Sequence, residues 1–184
     1  DRCIGCRSCE SACPSGVRYG LLIDSARSRR PRSGRDRLIN GLVARLPYHP
    51  GSGRLLRFYQ HSGLQRLARL GGGSRFRRLD DLLPELAAAG PWREVYPAQG
   101  AHTGRIGLFT GCIGRIADRQ ALDTAIHLLN RLGLEVQVPA DQACCGALQQ
   151  HNGDPGGAAA LAARNRAAFG GRGLDAVIYL ASGC

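Results

Sequence analysis

The chain has 184 residues, 43% of them hydrophobic, with eight Cys and neither Met nor Lys, so all 25 basic residues are Arg. This composition suits a folded protein, and no apolar run approaches the ~20 residues that a membrane-spanning helix needs. The formal net charge of +11 is concentrated in residues 18–78, where 15 Arg accompany only Asp24 and Asp36, a balance of +13. Such a segment favours contact with nucleic acid, anionic lipid or an acidic partner, and it is equally compatible with a solvated Arg-rich surface.

Four cysteines crowd the start of the chain with the spacing C-x2-C-x2-C-x3-C-P, namely Cys3, Cys6, Cys9 and Cys13, followed by Pro14. Bacterial ferredoxins bind [4Fe–4S] clusters through this run. Structural zinc prefers two separated Cys pairs, and thiols this close would strain a disulfide. The run therefore predicts an iron–sulfur site held by Cys3, Cys6 and Cys9, with Cys13 serving another cluster if the rule for two-cluster ferredoxins applies.

The basic stretch that follows carries two stripes of Leu at helical spacing, one in residues 38–46 and one in residues 64–70. Pro and Gly residues interrupt the pattern repeatedly. We predict a few short amphipathic helices joined by loops and ending in a flexible connector at 71–73. An irregular path to about residue 103 would follow, in which Trp92 and Tyr96 serve as packing residues.

From Arg105 the pattern changes to alternating strands and helices. One helix is predicted to begin at Asp118 and to stop at Gly133, and an Ala-rich helix is predicted to follow the Asp154-Pro155 pair. Because strands and helices alternate at this spacing, we expect a parallel sheet. Its strands are predicted at Ile106–Thr110, Leu134–Val138 and Ala176–Leu180.

A second group of cysteines follows these strands: Cys112, then the vicinal pair Cys144 and Cys145 before Gly146, then Cys184. The loops after parallel strands emerge at one edge of the sheet, so these four thiols should converge there. The pattern favours a cluster or metal site, while buried structural thiols and a redox-active dithiol remain alternatives. His151 lies six residues after the pair. It is a candidate ligand or hydrogen-bond donor to a cluster sulfur, or a surface or capping residue.

These residues together carry a family resemblance. The run DRCIGCRSCESACPSGVRYGLLID, followed by TGCIG, ACCGALQQHNGD and DAVIYLASGC, resembles the iron–sulfur subunit of bacterial glycolate oxidase, also called glycolate dehydrogenase. Proteins of this family have two ferredoxin-type runs and then two Cys-Cys-Gly repeats. The resemblance implies that the chain is a fragment that starts at the second run and ends inside the first repeat, with ligands missing at both ends. The start at Asp1 is also compatible with a signal peptide that has been removed.

The resemblance implies an α+β and α/β architecture in three parts. Residues 1–24 would form the second half of a 4Fe-4S ferredoxin-type domain, residues 25–103 a basic helical connector, and residues 104–184 a truncated α/β Cys-Cys-Gly domain with a small parallel sheet. Related heterodisulfide reductase subunits bind an unusual [4Fe–4S] assembly through their Cys-Cys-Gly cysteines. By analogy the second cluster would be held by Cys112, Cys144, Cys145 and Cys184.

The implied function is electron transfer, with no catalytic residue in this chain. Flavoprotein partner subunits would oxidise glycolate to glyoxylate, because the flavin carries the hydride chemistry. The chain would pass electrons towards quinone, either in the cytoplasm or peripherally on the inner face of the plasma membrane. Its basic segment, including Arg27, Arg29, Arg30 and Arg32, would contact anionic lipid or an acidic partner, and no nucleic acid is expected. Three alternatives remain open. The chain could be an iron–sulfur electron-transfer subunit of a dehydrogenase for glycerol 3-phosphate or lactate, a zinc-bound basic nucleic-acid module, or a thiol-redox protein that uses Cys144 and Cys145.

Overall fold

A computed structural model describes residues 3, 5–49, 51–86 and 90–180. The first half of this part of the chain is helical. Each helix is short, since Pro or Gly residues fall between most of them. The helices are α1 (Ser8–Ser11), α2 (Tyr19–Ser28), α3 (Gly34–Arg45), a 3-10 turn (Leu46–Tyr48), α4 (Ser52–His61), α5 (Leu64–Gly71) and α6 (Ser74–Asp80).

The second half combines a four-stranded sheet with four helices. In chain order the elements are β1 (Val95–Tyr96), β2 (Gly104–Phe109), α7 (Gly114–Ala117), α8 (Arg119–Arg131), β3 (Leu134–Gln137), α9 (Ala147–His151), α10 (Pro155–Phe169) and β4 (Ala176–Tyr179). The strand order is β1-β3-β2-β4. Strands β3 and β4 both pair with β2 in parallel, and β1 pairs with β3 in antiparallel orientation.

The hydrophobic core lies between the sheet and α8. Leu108 and Val136 on the strands are fully buried and pack with Leu122 and Ile126 of α8. The opposite face of β2 meets α10, where the Phe109 and Phe169 rings lie 6.3 Å apart. Alternate residues of β2 thus face two different helices, as the two-residue period of a strand requires. The sheet is therefore held from both sides, and its carboxyl edge is left to the loops.

The buried carboxylate of Asp80 joins the three helices α4, α5 and α6. It accepts hydrogen bonds from the Tyr59 hydroxyl at 2.9 Å, from the Gln65 amide at 3.0 Å, and from the Arg69 guanidinium, which also forms an ion pair with it. These bonds satisfy a charge that would be costly to bury alone. The helices leave much apolar surface outside, where Leu55, Leu70 and Leu82 are each more than 70% exposed.

The structure shows short helices up to residue 80 and strands alternating with helices from residue 104, and the strand bounds differ from the predicted ones by one or two residues. It corrects three details. The segment 71–73 does not end the helical region, because Gly73 has an extended backbone and serves as the N-cap of α6. Asp118 precedes α8, but its side chain accepts no capping hydrogen bond. The sheet is not wholly parallel, since Val95–Tyr96 adds an antiparallel edge strand.

Asp154 acts as the predicted cap of α10, because its carboxylate accepts a hydrogen bond from the backbone N–H of Gly157. Trp92 and Tyr96 pack against the core, as predicted. In the described residues no helix has both the length and the apolar character needed to cross a bilayer.

Replacing Leu122 with Ala should lower the free energy of unfolding by about 3 kcal/mol, because it removes a fully buried side chain and leaves a cavity. The matched control is Leu128→Ala on the same helix, which removes a largely exposed side chain and should cost less than about 0.5 kcal/mol. Urea unfolding followed by circular dichroism measures both values. Equal losses for the two variants would contradict this assignment of the core.

Candidate metal centre

The loop that carries the vicinal cysteines is fixed to the end of β2 by a buried amide. The Gln142 side-chain oxygen accepts hydrogen bonds from the backbone N–H and the hydroxyl of Thr110, at 2.8 and 3.1 Å. Its amide nitrogen donates to the carbonyl of Pro139 at 2.9 Å. Since Gln142 is only 1% exposed, these bonds form without competition from water. They place the loop after β3 directly beside the loop after β2.

A second amide fixes the same loop from the side of α10. The Asn165 side-chain oxygen accepts from the backbone N–H of Ala143 at 2.7 Å, and its nitrogen donates to the carbonyl of Cys144 at 3.0 Å. Asn165 thereby satisfies two backbone groups of an irregular segment, which would otherwise be costly to bury. The backbone of the first vicinal cysteine is therefore held between the sheet edge and a helix.

This arrangement brings Cys112 and Cys144 together. Both side chains are buried, and the Cys144 Sγ donates to the Cys112 Sγ at 3.6 Å. That hydrogen bond, together with burial, raises the pKa of the Cys144 thiol above its usual value. Cys145 is half-buried, and its Sγ accepts from the backbone N–H of Ala147 at 3.4 Å. Of the predicted convergence, the structure shows the contact between Cys112 and Cys144, with Cys145 next to it in the chain. Cys184 lies outside the described residues.

The backbone turns sharply after the vicinal pair. Gly146 has φ +86°, a left-handed conformation that suits Gly, and a Cβ there would approach the backbone of Ala158 to 3.1 Å. Gly146 is also the N-cap residue of α9. The bend inferred from the Cys-Cys-Gly sequence is therefore present, and a short helix starts directly after it.

The 3-10 turn of the connector closes one side of this site. Burial raises the pKa of the Tyr48 hydroxyl, and the three thiols of Cys112, Cys144 and Cys145 act in the same direction. The Arg115 guanidinium lies 4.8 Å from the centre of the Tyr48 ring, and burial lowers the pKa of this guanidinium. A residue of the basic connector thus contributes to the surroundings of the second cysteine group.

The first cysteine group has a different environment. Cys6 and Cys9 are exposed, whereas Cys3 and Cys13 are half-buried. Hydrogen bonds from the side chain and the backbone of Ser8 lower the pKa of the Cys6 thiol, which favours the thiolate that binds metals. The chain bends here through two left-handed residues, Gly5 at φ +77° and Arg7 at φ +58°.

His151 joins the two cysteine groups at the far end of α9. Its Nδ1 lies 3.1 Å from the buried carboxylate of Asp24 in α2, which also lies 3.9 Å from the guanidinium of Arg7. A Cβ built on Gly5 would lie 3.6 Å from the imidazole Cγ, so this ring packs against the first cysteine run. The Arg27 guanidinium donates to the carbonyl of His151 at 2.9 Å and also to the carbonyl of Cys3.

The residues around His151 also bind the connector. Gln149 and Asn152 donate to the backbone and side-chain oxygens of Asn40, at 3.2 and 3.0 Å. Asp154 forms an ion pair with Arg32 at 2.7 Å. The segment Gln149–Asp154 therefore attaches the cysteine-rich part of the chain to α2 and α3.

Sequence reasoning missed most of this attachment. It treated Arg27 and Arg32 as part of a basic docking surface, whereas both bind within the protein. Gln142 and Asn165 were not singled out, although Gln142 directly precedes the Ala-Cys-Cys-Gly sequence and Asn165 is an amide within an Ala-rich helix. The His151 ring is half-buried and bonded to Asp24, a contact that the sequence did not predict.

Among the side chains that the structure describes, no group of three or more His, Cys, Asp or Glu is arranged ready to hold a metal ion. Neither the four cysteines of the first run nor Cys112, Cys144 and Cys145 are thus gathered around one point. The donor set nevertheless fits an iron–sulfur group, because soft thiol ligands with nearby backbone N–H donors are what such clusters use. The buried Cys112 and Cys144 pair and the N–H donor to Cys145 supply both features at the second group.

Comparison with known proteins agrees with this donor chemistry. Residues 1–19 match the 4Fe-4S binding domain family, and residues 106–184 match the cysteine-rich domain family. The chain is 33% identical to the probable glycolate oxidase iron-sulfur subunit of Bacillus subtilis strain 168, over 99% of this chain and 45% of that protein. It is 30% identical to the glycolate oxidase iron-sulfur subunit of Escherichia coli K12, over 100% of this chain and 44% of that protein.

A shorter similarity covers 44% of the chain. This part is 39% identical to one subunit of the fumarate reductase (CoM/CoB) of Methanothermobacter marburgensis, over 16% of that protein. No solved structure matches the chain. The chain spans a little under half the length of the two glycolate oxidase subunits. The comparisons confirm the predicted resemblance and the predicted [4Fe–4S] cofactor.

Replacing Gly153 with Ala should weaken the attachment of Gln149–Asp154 to α2. Gly153 has φ +77°, and an added Cβ would lie 2.6 Å from the carbonyl carbon of Arg27. The left-handed backbone alone costs a non-Gly residue about 1–2 kcal/mol, before the collision is counted. We expect faster hydrogen–deuterium exchange in residues 19–28 and a lower free energy of unfolding.

The matched control for this variant is Gly156→Ala. The nearest atom to a Cβ at Gly156 is 4.0 Å away, and the residue lies within α10. This variant should leave exchange in residues 19–28 unchanged. If Gly153→Ala exchanges like the control, the proposed attachment is absent in solution.

Proposed function

We propose that this chain, which joins a 4Fe-4S binding domain to a cysteine-rich domain, is the electron-transfer part of a flavin-dependent glycolate-oxidising complex. The observation that carries the proposal is the position of α9 between the two cysteine groups. Cys145 and Gly146 precede this helix, and His151 at its end packs against Gly5. Five helical residues span only about 7 Å. A centre at each group would therefore lie close to the other, as stepwise electron transfer requires.

The proposed ligands follow the two groups. Cys3, Cys6 and Cys9 would hold one [4Fe–4S] cluster and Cys13 would serve a neighbouring one, while Cys112, Cys144, Cys145 and Cys184 would hold a further cluster. Such clusters supply one-electron oxidation and reduction. Residues 1–24, 25–103 and 104–184 would correspond to the ferredoxin-type part, the connector and the Cys-Cys-Gly domain.

The chain's own residues have three tasks in this proposal. Gln142 and Asn165 hold the backbone around Cys144, so that thiols from separate loops stay together. Burial of Cys112 and Cys144 keeps water from the sulfur atoms. Asp24 and Arg27 fix the end of α9 against the first cysteine run, which keeps the two groups at a constant separation.

The substrate assignment rests on the relatives, which are named as glycolate oxidase iron–sulfur subunits. In the proposed complex a flavoprotein subunit oxidises glycolate to glyoxylate, and this chain transfers the electrons singly towards quinone. The complex would lie on the cytoplasmic face of the plasma membrane. Identification of the flavoprotein that copurifies with the chain, and of the hydroxy acid that reduces the clusters, tests this assignment.

Serine substitutions test the two cluster sites separately. In protein isolated anaerobically with its copurifying subunits, Cys6→Ser should remove one electron paramagnetic resonance signal, and Cys144→Ser should remove a different one. Each should also lower the iron and acid-labile sulfide content, because serine is a poor ligand for these clusters. Each variant serves as the control for the other.

Three results would count against this proposal. Zinc without sulfide in the unmodified protein would favour a zinc module. Unchanged iron in Cys144→Ser would remove the second site. If the clusters are retained but glycolate does not reduce them, only the substrate assignment would be wrong.

We also propose that α6 and its neighbours contact an anionic membrane surface. Arg75, Arg77 and Arg78 are exposed on α6, next to exposed Leu79 and Leu82. Basic residues beside apolar ones are typical of helices that bind at a lipid interface. The net positive balance of residues 18–78 acts in the same direction.

Replacing Arg75, Arg77 and Arg78 with Gln should weaken binding to phosphatidylglycerol vesicles roughly 100-fold, at about 1 kcal/mol for each basic residue. Vesicle sedimentation at low salt measures this change, and phosphatidylcholine vesicles should bind neither protein. The matched control replaces Arg93, Arg131 and Arg166, which are also exposed. Because the control removes the same charge, equal losses would show a general charge effect and would contradict a surface on α6.

A further inference from the structure

The hydroxyl of Tyr48 is buried without a hydrogen-bond partner among the described residues. Tyr48 ends the 3-10 turn that follows α3, and its ring is half-buried. A buried hydroxyl that makes no hydrogen bond costs about 1–3 kcal/mol. Buried polar groups in folded proteins are nearly always bonded. An unbonded donor at this position therefore calls for an acceptor that the described residues do not supply.

The Tyr48 ring is held by its neighbours, so the hydroxyl has little freedom to turn towards water. Arg115 lies over the ring at 4.8 Å from its centre, and the same guanidinium lies 5.7 Å from the centre of the Trp92 ring. Arg119 stacks on the other ring, at 3.7 Å from the Trp92 centre. Cation–π contacts of this kind favour defined ring positions. The pair of rings and the two guanidinium groups thus fix where the hydroxyl points.

Tyr48 lies beside the loop that carries the second cysteine group, because Arg115, which contacts its ring, follows Cys112 by three residues. Burial raises the pKa of the Tyr48 hydroxyl, and the thiols of Cys112, Cys144 and Cys145 act in the same direction. Cys112 and Cys144 are themselves buried and in contact. Thiolate and sulfide sulfur atoms accept hydrogen bonds, and such bonds adjust the potentials of iron–sulfur clusters.

We propose that the Tyr48 hydroxyl donates a hydrogen bond to a sulfur atom of the centre held by Cys112, Cys144 and Cys145. The inference rests on the proposed function, because it needs a cluster at that group. It adds a residue of the basic connector to the site, and it gives that residue a role in setting the reduction potential. A donor stabilises the more negative, reduced form, so its removal should lower the potential.

Tyr48→Phe tests this role directly, since it keeps the ring and its contact with Arg115 and removes only the oxygen. The midpoint potential of the second centre should fall by about 60 mV, which corresponds to a tenfold change in the one-electron equilibrium. Anaerobic redox titration followed by electron paramagnetic resonance measures the shift. The signal of the second centre is identified as the one that Cys144→Ser removes.

The matched control is Tyr59→Phe in α4 of the same connector. The Tyr59 hydroxyl already donates to Asp80, so its loss should lower stability and leave both potentials unchanged. A second measurement needs no substitution of the tyrosine. In the unmodified protein, electron–nuclear double resonance should detect an exchangeable proton at the second centre besides that of the Ala147 N–H. Its signal should disappear in deuterated water, and Tyr48→Phe should lack it.

An unchanged potential in Tyr48→Phe, with the exchangeable proton still present, would overturn the role of Tyr48 and leave the proposed function intact. A potential shift of equal size in Tyr59→Phe would also overturn it, because the effect would then follow from lowered stability. Failure of the unmodified protein to assemble any second centre would overturn both proposals.

Discussion

Two amide side chains, one of them buried, determine where the second cysteine group can lie. Gln142 bonds the loop after β3 to Thr110 at the end of β2, and Asn165 bonds the backbone at Cys144 to α10. Neither loop has regular structure that would fix it by itself. Because Ala143 and Cys144 are buried, the loss of Asn165 would leave their backbone groups unsatisfied, and the loss of the buried Gln142 would do the same for the backbone N–H of the buried Thr110. The contact between the Cys112 and Cys144 sulfur atoms depends on these bonds.

The same loop continues into the segment that connects the two halves of the molecule. After the left-handed turn at Gly146, α9 ends at His151, which lies beside the first cysteine run. There its ring bonds to Asp24 and its carbonyl accepts a hydrogen bond from Arg27. One continuous stretch of chain therefore takes part in both cysteine groups. A change that displaces α9 would alter the surroundings of both groups together. The connector is more than a spacer, since Asn40 and Tyr48 contribute to this arrangement.

The sequence was informative where structure follows from local pattern. The strands after residue 104, the helix behind Asp154-Pro155 and the convergence of Cys112 with Cys144 were all predictable, because alternation and chain direction determine them. The strand β1 was not predictable, since two residues at Val95–Tyr96 become a strand only by pairing with β3.

The attachment around His151 was equally hidden from local pattern. A histidine in a loop shows no period that would reveal a partner more than a hundred residues earlier. Gly73 was interpreted as a residue that ends the helical region, because Gly is common in loops. A Gly with an extended backbone is also a favourable N-cap, and Gly73 has that role at α6. Nothing in the sequence around Tyr48 indicated its environment, because the fold brings Arg115 to its ring from another part of the chain.

The Arg27 side chain has a consequence for how this protein can vary. Its guanidinium reaches two carbonyl oxygens, one at Cys3 and one at His151, from a single planar fork. Lysine carries the same charge on a single ammonium nitrogen and does not reproduce that fork. At position 27, therefore, Lys would not replace Arg without loss of one of these two bonds. Charge-preserving substitution, which is usually harmless on a surface, would here separate the start of the chain from the helix that follows the vicinal cysteines.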